Sequence, residues 1–277
     1  MTERIPAEFA PLCLDALTAR IAEQAGFESV YVSGGALGYA HAVSEALLDP
    51  NELADIVRHI RARSGVRVFV DGGVGFGDAV HMSRTVQLLE AAGASAIEIE
   101  DQVAPKRVSH HRGIEHLIPA QEMTRKIAVA AASRQSAATK IIARTGAVKN
   151  ESLTEALERC ERYIAAGADM ILIMAESDDD WEKIRGALQV PLVTFAPLAG
   201  RSIEEWTELG VSLVFDPFTT QVAHVLNTQE TYRRFFAGEP QMLSTADLFA
   251  TYNQLDQIAG FDSLYDIEDA TTLAPEA

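Results

Sequence analysis

Val68-Phe69-Val70-Asp71-Gly72-Gly73-Val74-Gly75-Phe76-Gly77-Asp78 is the stretch whose reading decides the fold. Its first three residues are apolar and β-prone, and they run straight into an acid followed by glycines. Such a strand delivers one carboxylate to its own C-terminal end. It then opens into a loop whose glycines let backbone approach a ligand closely. A plain strand-to-helix turn, with Asp71 as the helix-start residue, uses the same residues. A second acidic strand end, AIEIEDQ over 96–102, favours the first reading. Two acidic strand ends in one α/β chain predict a divalent cation held by oxygen ligands.

Outward from this stretch, short β-type runs alternate with amphipathic ones. Strands are predicted over 12–14, 29–33, 66–70, 96–100, 140–143, 170–174, 191–194 and 212–215. Helical patterns fill 16–24, 51–63, 79–92, 120–132, 153–166, 178–188 and 203–209. The triplets AGF at Ala25 and AGA at Ala92 and Ala166 read as glycine C-caps leading into strands. About eight βα units in series predict an α/β TIM barrel rather than an open doubly wound sheet. Neither a dinucleotide-binding fingerprint after the first strand nor a Walker A motif is present.

Two segments exceed a minimal barrel. Residues 102–119 form a long polar connection carrying Lys106, Arg107, His110, His111, Arg112, Glu115 and His116. A loop of this length at the expected catalytic face predicts a lid. Beyond the eighth unit, 243–259 reads as an extra helix with Ser244 as N-cap and Gly260 as C-cap. Its apolar residues need a surface, such as another subunit, and residues 268–277 read as a frayed tail. The expected division is a barrel over 1–240 and a helical extension over 241–277.

At 277 residues and 48% apolar composition the chain has material for one large core. A net charge of −17 speaks against nucleic acid and anionic membranes as partners. No run is long and apolar enough to span a bilayer, and no secretory segment is read. Cys13 and Cys160 stand far apart, outside any metal-ligand spacing, which predicts a reduced cytoplasmic protein without structural zinc.

In order and spacing, five pieces together resemble the isocitrate lyase/phosphoenolpyruvate mutase superfamily, in its methylisocitrate lyase-like branch. They are PLCLDALTARIAEQAGFESVYVSGG, VDGGVGFGDAVHMSRTVQLLEAAGA, IEIEDQVAPKR, IIARTGA and LERCERYIAAGADMIL. The resemblance implies a barrel, a Mg2+ or Mn2+ ion, a mobile gating loop and a C-terminal helix exchanged between paired subunits of a dimer or tetramer. It also implies small 2-oxo or 2-hydroxy carboxylates as substrates. By resemblance Ser33, Gly34 and Gly35 match the substrate-carboxylate cradle, with Tyr31 on the strand leading to it. Backbone N–H groups at a strand end suit an oxyanion, although a tight turn needs the same residues. Asp71 matches the direct metal contact and Glu100 a support through water. Arg144 matches an arginine that pairs with a substrate carboxylate, and a structural arginine between strand ends is the alternative.

Several positions depart from the family pattern. Where DADTGFG or DADTGYG is usual, the second aspartate is Gly73. An aspartate expected after Gly35 has no clear match, with Ser44 or Glu45 nearest, and the acid of the ARTDA motif is Gly146. Val108 stands where the lyases carry a catalytic cysteine, and the lid lacks the Asn-Ser pattern of the phosphonate enzymes. Ile173-Met174 and Phe195 replace polar substrate contacts, which predicts a substrate with fewer carboxylates or an apolar group. The leading expectation is a metal-dependent lyase cleaving a C–C bond of a small 2-hydroxy or 2-oxo acid through an enolate-type intermediate. Lys106, Arg107 and one of His110 and His111 would supply the lid chemistry, histidine replacing the thiol; a solvated loop is the alternative. Phosphonomutase or C–P hydrolase chemistry, or a barrel that only binds a metabolite, are the competing readings. Glu98 shares a strand face with Glu100. It either restores charge beside the metal in place of the acid lost at Gly73 or pairs with a buried Arg or Lys.

Overall fold

A computed structural model describes residues 6–272. These residues fall into two compact units, divided after Thr219. In the first, eight parallel strands form one sheet: β1 (Glu8–Pro11), β2 (Ser29–Val32), β3 (Arg67–Asp71), β4 (Ala96–Glu100), β5 (Lys140–Arg144), β6 (Met170–Leu172), β7 (Leu192–Phe195) and β8 (Val211–Asp216). The hydrogen-bonded order is β1-β8-β7-β6-β5-β4-β3-β2. A parallel bridge between Leu12 and Tyr31 joins the two ends of that order, with Cys13 N donating to Tyr31 O at 2.9 Å. The sheet is a TIM-type barrel, with helices flanking its strands.

Strand alternation sorts side chains between two cores. Outward residues such as Val30, Val68, Val70, Ile97 and Ile99 pack under the helices, while Tyr31, Phe69, Ala96, Ile142, Leu172 and Phe215 fill the barrel. Burial on both faces is why these strands read as nearly continuous apolar runs. The helices Ala16–Gln24, Ala79–Ala92 and Ile203–Leu209 have the predicted bounds, set by the caps Asp15, Asp78 and Ser202. Gly93, at φ 103°, ends the second of these in the left-handed region.

Other boundaries differ from expectation. The first strand is Glu8–Pro11 rather than 12–14, because Phe9 and Ala10 carry the buried faces and Pro11, at the strand end, removes no donor the ladder needs. Ser33-Gly34-Gly35 is not a bare turn. It starts a helix, Gly34–Ala40, whose N-cap Ser33 accepts from Ala36 N at 3.3 Å.

The second unit holds most of the helix Thr219–Ala237, which the sequence reading lacked, and three further helices. The single helix expected over 243–259 is two, Thr245–Tyr252 and Leu255–Ala259, with Ser244 and Gly260 as the outer caps. Residues 262–271, expected to begin fraying at 268, form the helix Asp262–Thr271, where Phe261, Leu264 and Tyr265 repeat at helical spacing. The last of the expected tail, 273–277, lies outside the described residues. No helix among the described residues is long and apolar enough to cross a membrane.

Candidate active site

Alternation along β3, β4 and β5 aims Asp71, Glu98, Glu100 and Arg144 into the barrel at its C-terminal end. Register places Asp71 opposite Glu98 and Glu100 opposite Arg144. The three acids are 4%, 1% and 1% exposed, so each needs a partner or an ion. Two further groups arrive from outside the strands. Glu45 heads a 3-10 turn capped by Ser44, and Lys106 reaches in from the lid.

The carboxylates divide by partner. Glu98 accepts from Tyr31 OH at 2.6 Å on one oxygen and from Arg144 Nη1 at 3.0 Å on the other. Burial raises the Glu98 pKa, and Arg144 and Tyr31 oppose that rise. The arginine also lies 3.5 Å from Glu100 and 3.8 Å from Glu115, with its guanidinium carbon 5.0 Å from the Phe195 ring centre. Glu45 forms an ion pair with Lys106 and meets His110 Nε2 at 3.1 Å. Burial pushes its carboxyl up, but His110 and Lys106 outweigh burial and hold it at about 2. Asp71 accepts from Gly34 N at 3.1 Å and Gly73 N at 2.8 Å. Burial and then Glu98, Glu45 and Glu100 push its carboxyl well above the usual range, against Lys106. The fit at Gly34 is close: a Cβ would lie 3.0 Å from Glu45 and 3.1 Å from Asp71.

Of the expected lid residues, Lys106 and His110 are brought to the site. His110 is anchored through Nδ1, which donates to Arg107 O at 2.7 Å. Arg107 contributes that carbonyl while its side chain is exposed. His111 is also exposed, 3.1 Å from Ser44 Oγ, with its ring centre 4.0 Å from that of His110 and tilted by 39°. Both Glu98 oxygens are held by Tyr31 and Arg144, the buried pairing that was the alternative to filling the gap at Gly73. A Cβ on Gly73 would meet nothing within 4 Å, and a cavity of about 470 Å³ opens there, lined by Gly34, Glu45, Asp71, Gly73 and Lys106.

The acid missing at Gly146 has a substitute from the lid. A Cβ at Gly146 would collide with the Glu115 carboxylate, which accepts from Asn150 Nδ2 at 2.8 Å and Gln102 Nε2 at 3.4 Å. Lys126 was also missed: its buried ammonium donates to Val74 O, and to Gly77 O at 3.1 Å, pinning the glycine loop. The signal was present, since Lys126 falls on the apolar stripe of Met123, Ile127 and Ala130.

The donor set fits a hard divalent cation. Glu100 Oε1 is buried without a hydrogen-bond donor, although Lys106 Nζ lies 2.6 Å away at an angle that makes only an ion pair. Glu45, Asp71, Glu98 and Glu100 face Lys106 and Arg144, an excess of negative charge. Asp71, Glu100 and Glu45 are the oxygen donors that would hold the ion. Among the described residues, no three His, Cys, Asp or Glu side chains converge as a ready ligand set.

The Phosphoenolpyruvate phosphomutase family profile matches residues 6–235. The chain is 34% identical to 2-methylisocitrate lyase of Aeropyrum pernix, over 94% of its own length and 85% of that protein's. It is 30% identical to 2,3-dimethylmalate lyase of Eubacterium barkeri, covering 94% and 91%. A phosphonopyruvate hydrolase structure in complex with oxalate and Mg2+ superposes with a TM-score of 0.82 at 28% identity, covering 97% of this chain and 95% of that one. Barrel, site and these likenesses agree that the chain belongs to the phosphoenolpyruvate phosphomutase family, and is an enzyme of the isocitrate lyase/phosphoenolpyruvate mutase superfamily.

Proposed function

We propose that this enzyme is a Mg2+- or Mn2+-dependent lyase that cleaves a C–C bond of a small 2-hydroxy or 2-oxo carboxylate through an enolate-type intermediate. The observation that carries the reading is the seating of Lys106 and His110 on Glu45, beside Asp71 and Glu100. A cation held by Asp71, Glu100 and Glu45 supplies Lewis acidity when bound. The chain's own groups do the rest. The ring nitrogens of His110 lie beside Arg107 O and the Glu45 carboxylate, which hold the ring at the site. His110 donates the proton that Val108 cannot. Lys106 adds positive charge where negative charge develops. The lid, from Gln102 to Pro119, covers the site and excludes water. Arg144 and the start of the helix at Ser33–Gly35 shape the substrate end. The similarity to named lyases supports C–C rather than C–P cleavage, and the similarity to phosphonopyruvate hydrolase keeps the latter as the second reading. The same reading puts the enzyme in the reducing cytoplasm, with Cys13 and Cys160 free, as paired subunits.

Release of a 2-oxo acid from a panel of 2-hydroxy and 2-oxo acids in the presence of Mg2+ tests it. His110→Ala is expected to lower kcat by about a hundredfold and His111→Ala by less than about tenfold. A loss below about tenfold in His110→Ala removes the proton-donor role. Phosphate release from phosphonopyruvate without any C–C cleavage overturns the lyase reading.

A further inference from the structure

Lys126 lies on the buried stripe of the helix Ala120–Ser133, with Met123, Ile127 and Ala130, and is 2% exposed. A buried ammonium is costly unless it is hydrogen-bonded. This one reaches across 52 residues of chain to Val74 O, and donates to Gly77 O at 3.1 Å. Both carbonyls belong to the glycine loop that follows Asp71.

Within that loop the Gly73 backbone touches two of the acids at the site. Gly73 N donates to Asp71 Oδ1 at 2.8 Å, and Gly73 O accepts from Glu100 N at 2.9 Å. Side-chain packing does not hold Gly73 itself, since it lies at φ 52° and a Cβ there would meet nothing within 4 Å. Phe76, without glycine's freedom, is also in the left-handed region at φ 56°. A backbone in this conformation persists only where its surroundings hold it. Thr85 Oγ1 supplies one hold, donating to Gly75 O at 3.1 Å. Lys126 supplies two more, and Val74 O belongs to the peptide directly after the one that carries Gly73 O.

We propose that Lys126 is a positioning residue for the cation site: by clasping Val74 and Gly77 it fixes the Gly73 backbone that orients Asp71 and anchors the end of β4 at Glu100. The proposal rests on the metal-dependent reading above and adds a residue that is not itself an oxygen donor. Groups that orient the ligands of an ion set its affinity without touching it.

The test is Mn2+ binding without substrate, read from the loss of the free-ion signal in electron paramagnetic resonance. Lys126→Met, close in length but without donors or charge, is expected to bind Mn2+ at least about tenfold more weakly than wild type. Ile127→Ala opens a cavity one residue along the same helix. It is expected to lower the melting temperature while keeping Mn2+ affinity within about threefold of wild type. Affinity within about threefold of wild type in Lys126→Met overturns the positioning role and leaves the metal-dependent reading standing. An equal loss in Ile127→Ala does the same, because general loosening of the helix then accounts for the effect. Should Lys126→Met not fold, Lys126→Gln, which keeps a donor but no charge, is read against the same limits. Failure of the wild type to bind Mn2+ at all overturns the metal-dependent reading itself, and the role of Lys126 with it.

Discussion

Glu45 and Cys13 are both buried, and their protonation equilibria move in opposite directions. Lys106 and His110 hold the Glu45 carboxyl at about 2 despite burial. Cys13 has no such cation, and burial pushes its thiol from 9.0 to about 12. Burial raises Cys160 and Tyr163 as well, and the Asp101 charge adds to both. These groups ionise more readily unfolded than folded. Their stabilising contribution is full below the ordinary thiol range and is lost as pH rises, for Cys13 between 9.0 and about 12. Urea midpoints are expected to fall between about pH 8 and about pH 10.5, and Cys13→Ala/Cys160→Ala is expected to flatten the decline. A decline as steep in the double variant would remove the thiols from the account.

The lid is the element that most concentrates chemistry. Two short elements and one ion-pair cluster hold it: the 3-10 turn Val108–Arg112, the bridge from Gln102 to Leu117, and Lys106 on Glu45 and Glu100. Removing the third should loosen the lid and leave the barrel intact. Lys106→Ala is expected to speed tryptic cleavage after Arg107 or Arg112 at least about fivefold, with the melting temperature within about 3 °C of wild type. Unchanged cleavage would mean that Lys106 does not latch the lid. Its bounds were legible because a polar stretch interrupts the helix-strand alternation. Its partners were not. Glu45 and Lys106 are 61 residues apart, and no periodicity links a short turn to a distant loop. Nor does sequence separate His110 from His111, since only the 3-10 turn sends one ring inward and leaves the other outside.

Across the whole molecule, the barrel was legible because its alternation has only one closed solution at this length. Strand parity likewise put Glu98 and Glu100 on one interior face, while the roles of Asp71 and Arg144 came from the resemblance. The helices after Thr220 were less legible, because their apolar residues are exposed and no inner face disciplines the pattern. In this unit Phe235, Phe236, Phe249 and Tyr252 are 71%, 87%, 63% and 68% exposed. Exposed aromatics in this number are what the paired subunits proposed above would cover. Light scattering at micromolar concentration is expected to give at least twice the chain mass of 30.0 kDa. A monomeric mass would count decisively against paired subunits.

Where the lid leaves and rejoins the barrel, its two strands of chain are tied to each other. Val103 N donates to His116 O at 2.8 Å, and Ile118 N to Asp101 O at 2.9 Å. Arg159 reaches Ile118 O at 2.9 Å, while the Asp101 carboxylate accepts from Thr145 at 2.7 Å and Tyr163 at 2.8 Å. The residues between 103 and 116 are thus an insert with a closed neck, and changing their length alters loop entropy only slowly. A barrel built this way can trade one set of reacting groups for another without renegotiating its core. Val108 and Glu115, whose carboxylate stands where a side chain on Gly146 would, both lie on this insert: the chemistry it carries is separable from the scaffold.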